Sequence, residues 1–76
     1  MKQFGERLKM LRKAKKLKQT DMAALLNITP RHYQDMEYGK INVPALTLIK
    51  LADYFDVSLD YLVGRTDDPA PVRRLS

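Results

Sequence analysis

His32 is the single histidine of a chain without cysteine. A multi-histidine or thiolate metal site therefore has no ligands to build it, and a nucleophile–base pair has no arranged partner. No glycine-rich phosphate loop occurs in the sequence, so nucleotide chemistry also lacks its parts. These absences predict a protein that is not an enzyme and that needs no metal or cofactor. The chain is instead supplied with side chains suited to recognition. Arg31 carries a planar fork of donors, Gln34 a donor and an acceptor, and Asp35 acceptors alone, all within five residues. Arg pairs with guanine through two hydrogen bonds, and a carboxylate accepts from the cytosine amine.

The charge is unevenly distributed. Between Met1 and Lys18, eight basic residues stand against Glu6, while from Gln19 onward six basic residues face eight acidic ones, so the net charge of +5 divides into +7 and −2. One side of the molecule is thus suited to a polyanion. A solvated lysine-rich helix has the same composition, so charge alone does not decide between them. At 76 residues there is room for one domain. No apolar run approaches the ~20 residues of a membrane span. Met1 to Leu17 intersperses charges with apolar residues rather than forming a signal-peptide core, which predicts a cytoplasmic protein with no membrane partner.

The periodicity predicts an all-α fold of five helices. Phe4, Leu8 and Leu11 share one stripe of a first helix from about Phe4 to Lys15. Gln19 to Leu26 is a short second helix, stopped by Asn27 in a left-handed position. Thr29 caps a third helix with Pro30 in its first turn, running to Gly39. Ala45, Leu48, Ile49, Ala52 and Phe55 mark a fourth helix up to Asp56, and Ser58 opens a short fifth one that ends at Gly64. Residues 1–64 form the domain, and 65–76, with two prolines and the Arg73-Arg74 pair but no periodicity, read as a flexible C-terminal tail.

The segment from Gln19 to Tyr38 joins two short helices through a tight turn, which needs a small residue at the crossing and a positive φ at the corner. Ala23 and Asn27 supply these, and Met22, Leu26, Ile28, Tyr33 and Met36 fall where both helices meet the rest of the domain. Together with the Glu37-Tyr38-Gly39-Lys40 exit and the Val57-Ser58-Leu59-Asp60-Tyr61-Leu62 ending, this pattern resembles the Cro and phage-repressor (XRE-type) helix-turn-helix regulators over roughly Phe4 to Val63. Lys18 stands where relatives place a Ser or Thr cap, Asn27 where they have glycine, Tyr38 where they have asparagine, Ala45 where they have Ser or Thr, and Pro30 where they have a polar residue.

The resemblance implies a lambda-repressor-like domain that binds double-stranded operator DNA. By the geometry of the motif, the third helix presents Pro30, Arg31, Gln34 and Asp35 to bases in the major groove, with apolar readout at Pro30. Lys18, Gln19, Thr29, His32, Tyr38 and Lys40 are the phosphate candidates. Arg31 and Asp35 are also spaced to pair with each other on the helix surface. In relatives a first-helix arginine pairs with the glutamate ending the third helix, here Arg12 and Glu37. The expected function is a repressor on a partly palindromic operator, acting as a homodimer through Leu59, Leu62 and Val63, unless the core takes those residues. A toxin-antidote module that also binds DNA while holding another protein partner is the alternative.

Overall fold

The structure is a computed structural model and describes residues 1–71. Of the expected tail, Val72 to Ser76, including the Arg73-Arg74 pair, lies outside the described residues. Five helices follow in order: α1 (Lys2–Ala14), α2 (Gln19–Leu26), α3 (Pro30–Glu37), α4 (Ala45–Phe55) and α5 (Leu59–Leu62). Among the described residues there is no strand. Helix α1 begins two residues before the position expected from its apolar stripe, because the Met1 carbonyl accepts from the Gly5 N–H at 3.1 Å and carries the helix forward.

The turns take the conformations their residues favour. Asn27 and Asp56 adopt φ of 56° and 55° after α2 and α4, and in each case the next residue donates back across the turn, Ile28 to Ala23 and Val57 to Ala52. The Thr29 hydroxyl accepts from the His32 N–H at 3.1 Å, and that of Ser58 from Tyr61 at 2.9 Å, which caps α3 and α5. Lys18 has no such oxygen. Instead the Asp21 carboxylate reaches back to the Lys18 N–H at 2.8 Å, so the start of α2 is secured by the reciprocal half of a capping box.

Phe4, Leu8, Met22, Tyr33, Met36, Leu51 and Leu62 are wholly buried, joining all five helices in one core. Helix α1 lies across this core between α3 on one side and α5 on the other. No helix of the described residues is long and apolar enough to cross a membrane.

Residues 65–71, the described start of the expected tail, fold back on the domain. Arg7 donates to the carbonyls of Tyr61 and Thr66 at 3.0 and 2.9 Å and to Asp67 at 2.6 Å, with its guanidinium 4.0 Å from the centre of the Tyr61 ring. The Pro69 carbonyl accepts from Ser58. Turns at Thr66 and Asp68, whose side-chain oxygens each accept from an N–H two residues on, shape the segment without any helical period. Asp67 is almost fully exposed, so the pair with it adds little; the bond to the Tyr61 carbonyl fixes Arg7 against α5, and the bond to the Thr66 carbonyl anchors the segment. Arg7→Met should destabilise the domain by about 1.5 kcal/mol and speed proteolytic cleavage within 65–71. Unchanged cleavage would show that Arg7 is not the anchor.

Candidate nucleic-acid interface

Helix α3 is amphipathic across its whole length. Tyr33, Met36 and Glu37 face inward, while Pro30, Arg31 and His32 are exposed and Gln34 and Asp35 are half-buried beside them. The expected base-contacting residues therefore share one outward face. Arg31 Nε lies 3.6 Å from Asp35 Oδ1, and the arginine side chain is 79% exposed against 25% for the aspartate. This helix-surface pair contributes a few tenths of a kcal/mol, so it orients the arginine without preventing its fork from exchanging Asp35 for a base edge.

Around this face stand the phosphate candidates. Lys18, Thr29, His32, Tyr38 and Lys40 are exposed, with the Lys40 ammonium 5.4 Å from the centre of the Tyr38 ring. The Thr29 hydroxyl oxygen is engaged in the cap of α3, which leaves its O–H as the group free to donate. Gln19 also has a structural partner. Its side-chain amide turns inward and donates to Glu37 Oε1 at 3.2 Å, so only its second N–H and its backbone remain for a phosphate.

Glu37 is the centre of the construction beneath the outward face of α3. Its side chain is 1% exposed, and Arg12, itself 10% exposed, donates from Nε to Oε2 at 2.6 Å and from Nη2 to Oε1 at 3.2 Å. Arg12 also donates to the Leu17 carbonyl at 2.8 Å, and the Tyr33 hydroxyl donates to Glu37 Oε2 at 2.5 Å. One carboxylate thus ties α1, α2 and α3 together. Sequence reasoning paired Arg12 with Glu37 by resemblance and missed Tyr33 and Gln19, although Tyr33 stands four residues before Glu37 on the same helix.

The charges respond to this arrangement. Burial pushes the Glu37 carboxyl upward, but the hydrogen bonds from Arg12, Tyr33 and Gln19 outweigh it and hold the group below the ordinary carboxylate range. The hydrogen bond to Glu37 raises Arg12 against the opposing effect of burial. Burial, then the bond to Glu37, raises the Tyr33 phenol well above its ordinary value of 10.0. For a depressed carboxyl, the stabilisation is present above the unfolded-state pKa, about 4.3 for Glu, and is lost as pH falls through the lower folded value. For a raised phenol, it is present below about 10 and is lost as pH rises beyond that. Urea unfolding across pH should show both limbs, with Glu37→Gln flattening the acid one and Tyr33→Phe the alkaline one. A Glu37→Gln profile parallel to the parent's in acid would contradict this account.

The surface expected to receive a second copy is only partly available. Leu62 is wholly buried beneath α1 and α4 and is removed from it, while Leu59 is 38% exposed and Val63 is half-buried. A four-residue helix closes a single turn, and the inward side of that turn belongs to Leu62. The neighbouring α4 adds Ile49, 44% exposed, beside Leu59. Among the described residues no group of three or more His, Cys, Asp or Glu side chains is placed to hold a metal.

The helix-turn-helix family model matches residues 8–62. The uncharacterised HTH-type transcriptional regulator YobD of Bacillus subtilis (strain 168) is 41% identical over 68 residues, 90% of this chain and 61% of that protein. YqaE of the same organism, another uncharacterised HTH-type transcriptional regulator, is 47% identical over 60 residues, 79% of this chain and 52% of that one. The chain thus spans about half to three-fifths of the length of these relatives. Among solved structures, the restriction-modification controller protein C.AhdI from Aeromonas hydrophila matches with a TM-score of 0.70 at 34% identity, over 80% of this chain and 92% of that one.

Proposed function

The chain belongs to the helix-turn-helix family of Cro and phage-repressor type, and from that premise we propose that it is a sequence-specific DNA-binding repressor that occupies a partly palindromic operator as a homodimer. The observation that carries this reading is the outward face of α3, with Arg31 extended from a helix that the buried Glu37 cluster fixes in place. In the major groove Arg31 takes guanine, Gln34 a second base edge, Asp35 a cytosine amine and Pro30 a thymine methyl. Lys18, Gln19, Thr29, His32, Tyr38 and Lys40 engage the flanking phosphates. Resemblance to transcriptional regulators and to a controller protein supports the same reading.

One α3 reaches few base pairs, and two copies on half-sites about 34 Å apart supply the missing affinity and selectivity. Leu59 and Val63, with Ile49 of α4, form the contact between them. The test begins with duplexes selected from a random pool. Arg31→Ala should then lose about 1 to 3 kcal/mol of discrimination at one base position. Equal weakening on every sequence would overturn base readout, and sedimentation showing one chain per duplex at saturation would overturn the dimer.

A further inference from the structure

Lys2, Glu6 and Lys9 have no part in the assignments above. At i, i+4 and i+7 they share one stripe of α1 and all three are exposed. They form one wall of a groove of about 290 Å³ whose other wall is Gln19, Glu37 and Tyr38. Among the described residues, neither lysine lies within 4.0 Å of a carboxylate oxygen of Glu6 or of any other acid.

The groove is fixed to both helices of the motif. At one end Lys2 lies against Gly39, where a Cβ would stand 2.8 Å from the Lys2 Cα, and the Met1 ammonium donates to the Gly39 carbonyl at 3.5 Å. At the other end Lys9 faces Gln19, the first residue of α2. The opening therefore lies between the start of α2 and the exit of α3, the two places where the proposed interface meets the DNA backbone.

From this, the geometry points to the groove as a further seat for the DNA backbone, with Lys2 and Lys9 as its cations and the Tyr38 hydroxyl as a donor. Glu6 stands between the two lysines as a countercharge that holds the sequence-independent attraction below what the lysines alone would give. This inference rests on the DNA-binding reading. It extends the footprint of one domain beyond the bases under α3 and gives two of the basic residues of α1, Lys2 and Lys9, a part in it.

The experiment is a salt series of binding isotherms for the parent, Lys9→Gln, Glu6→Gln and Lys15→Gln, on a selected duplex and on a scrambled one. All three positions are exposed, so the variants should fold, which circular dichroism checks. Lys15 is the control, because its ammonium lies 5.5 Å from the centre of the Tyr54 ring on the α4 side. Losing one phosphate contact lowers the salt slope by about 0.9, so Lys9→Gln should weaken both duplexes about eightfold for each bound chain at ~0.1 M salt, the homodimer losing two such contacts. Glu6→Gln should strengthen both duplexes, and Lys15→Gln should change neither. If Lys15→Gln weakens binding as much as Lys9→Gln, the effect is one of overall charge and the groove is not a seat. Tight binding by the parent with no response to Lys9→Gln or Glu6→Gln also overturns the proposal, whereas a parent that binds neither duplex overturns the DNA-binding reading beneath it.

Discussion

Arg12→Ala should cost the domain about 3 to 5 kcal/mol, the loss expected when one partner of a buried ion pair is removed. The Glu37 carboxylate, with its side chain 1% exposed, would keep only the Tyr33 hydroxyl and the Gln19 amide as donors. The Leu17 carbonyl would lose its partner at the same time. A chain of 76 residues has about 4 to 11 kcal/mol of stability in all, so this substitution removes a large part of it. At about 4 to 8 °C per kcal/mol, the unfolding midpoint should fall by more than ~12 °C in a thermal melt followed by circular dichroism. A drop of only a few degrees would mean that the cluster contributes far less than its burial implies. Arg12→Met combined with Glu37→Leu and Tyr33→Phe removes both charges together with the hydroxyl that donates to Glu37, and it should recover much of the loss, because the destabilisation comes mainly from the orphaned carboxylate rather than from a missing attraction.

The same cluster shows what was legible in the sequence. Helix-end residues act locally, Thr29 and Ser58 through bonds to an N–H three positions on, Asn27 through a positive φ and Pro30 through its fixed φ, so they mark the ends of the helices where the structure has them. The outward face of α3 is legible in its period, since Tyr33 and Met36 turn inward and leave Arg31 exposed and Gln34 half-buried beside it. Long-range uses of polar side chains were not legible. Arg7 counted as one charge among eight until its bonds to Tyr61 and Thr66 showed it to be an anchor. Gln19 was read from its place at the start of α2, yet its amide answers to a carboxylate eighteen residues away. Leu59 and Leu62 are both leucines three apart, and only the packing of α1 over α5 decides which of them is buried.

Gly5 was silent in the sequence because a glycine inside a helical pattern signals only a small cost. In the structure it is where α1 crosses the exit of α3. A Cβ built on Gly5 would stand 2.8 Å from the Glu37 carbonyl carbon and 2.9 Å from the Met36 carbonyl oxygen, with the Glu37 carbonyl oxygen nearer still. These are backbone atoms, which no rotamer change can move away. At an exposed helical position glycine to alanine stabilises by about 1 kcal/mol. Here the sign should reverse, with Gly5→Ala losing about 2 to 3 kcal/mol net, towards the upper end of overpacking costs, because α1 and α3 must separate to admit the methyl group. The separation would act first on Glu37, whose bonds to Arg12 span those two helices. It would then act on the direction in which α3 presents Arg31, so DNA affinity should fall along with stability. Urea unfolding and duplex titration on the same preparation test both consequences, and a Gly5→Ala protein as stable as its parent would show that the crossing has room the geometry denies.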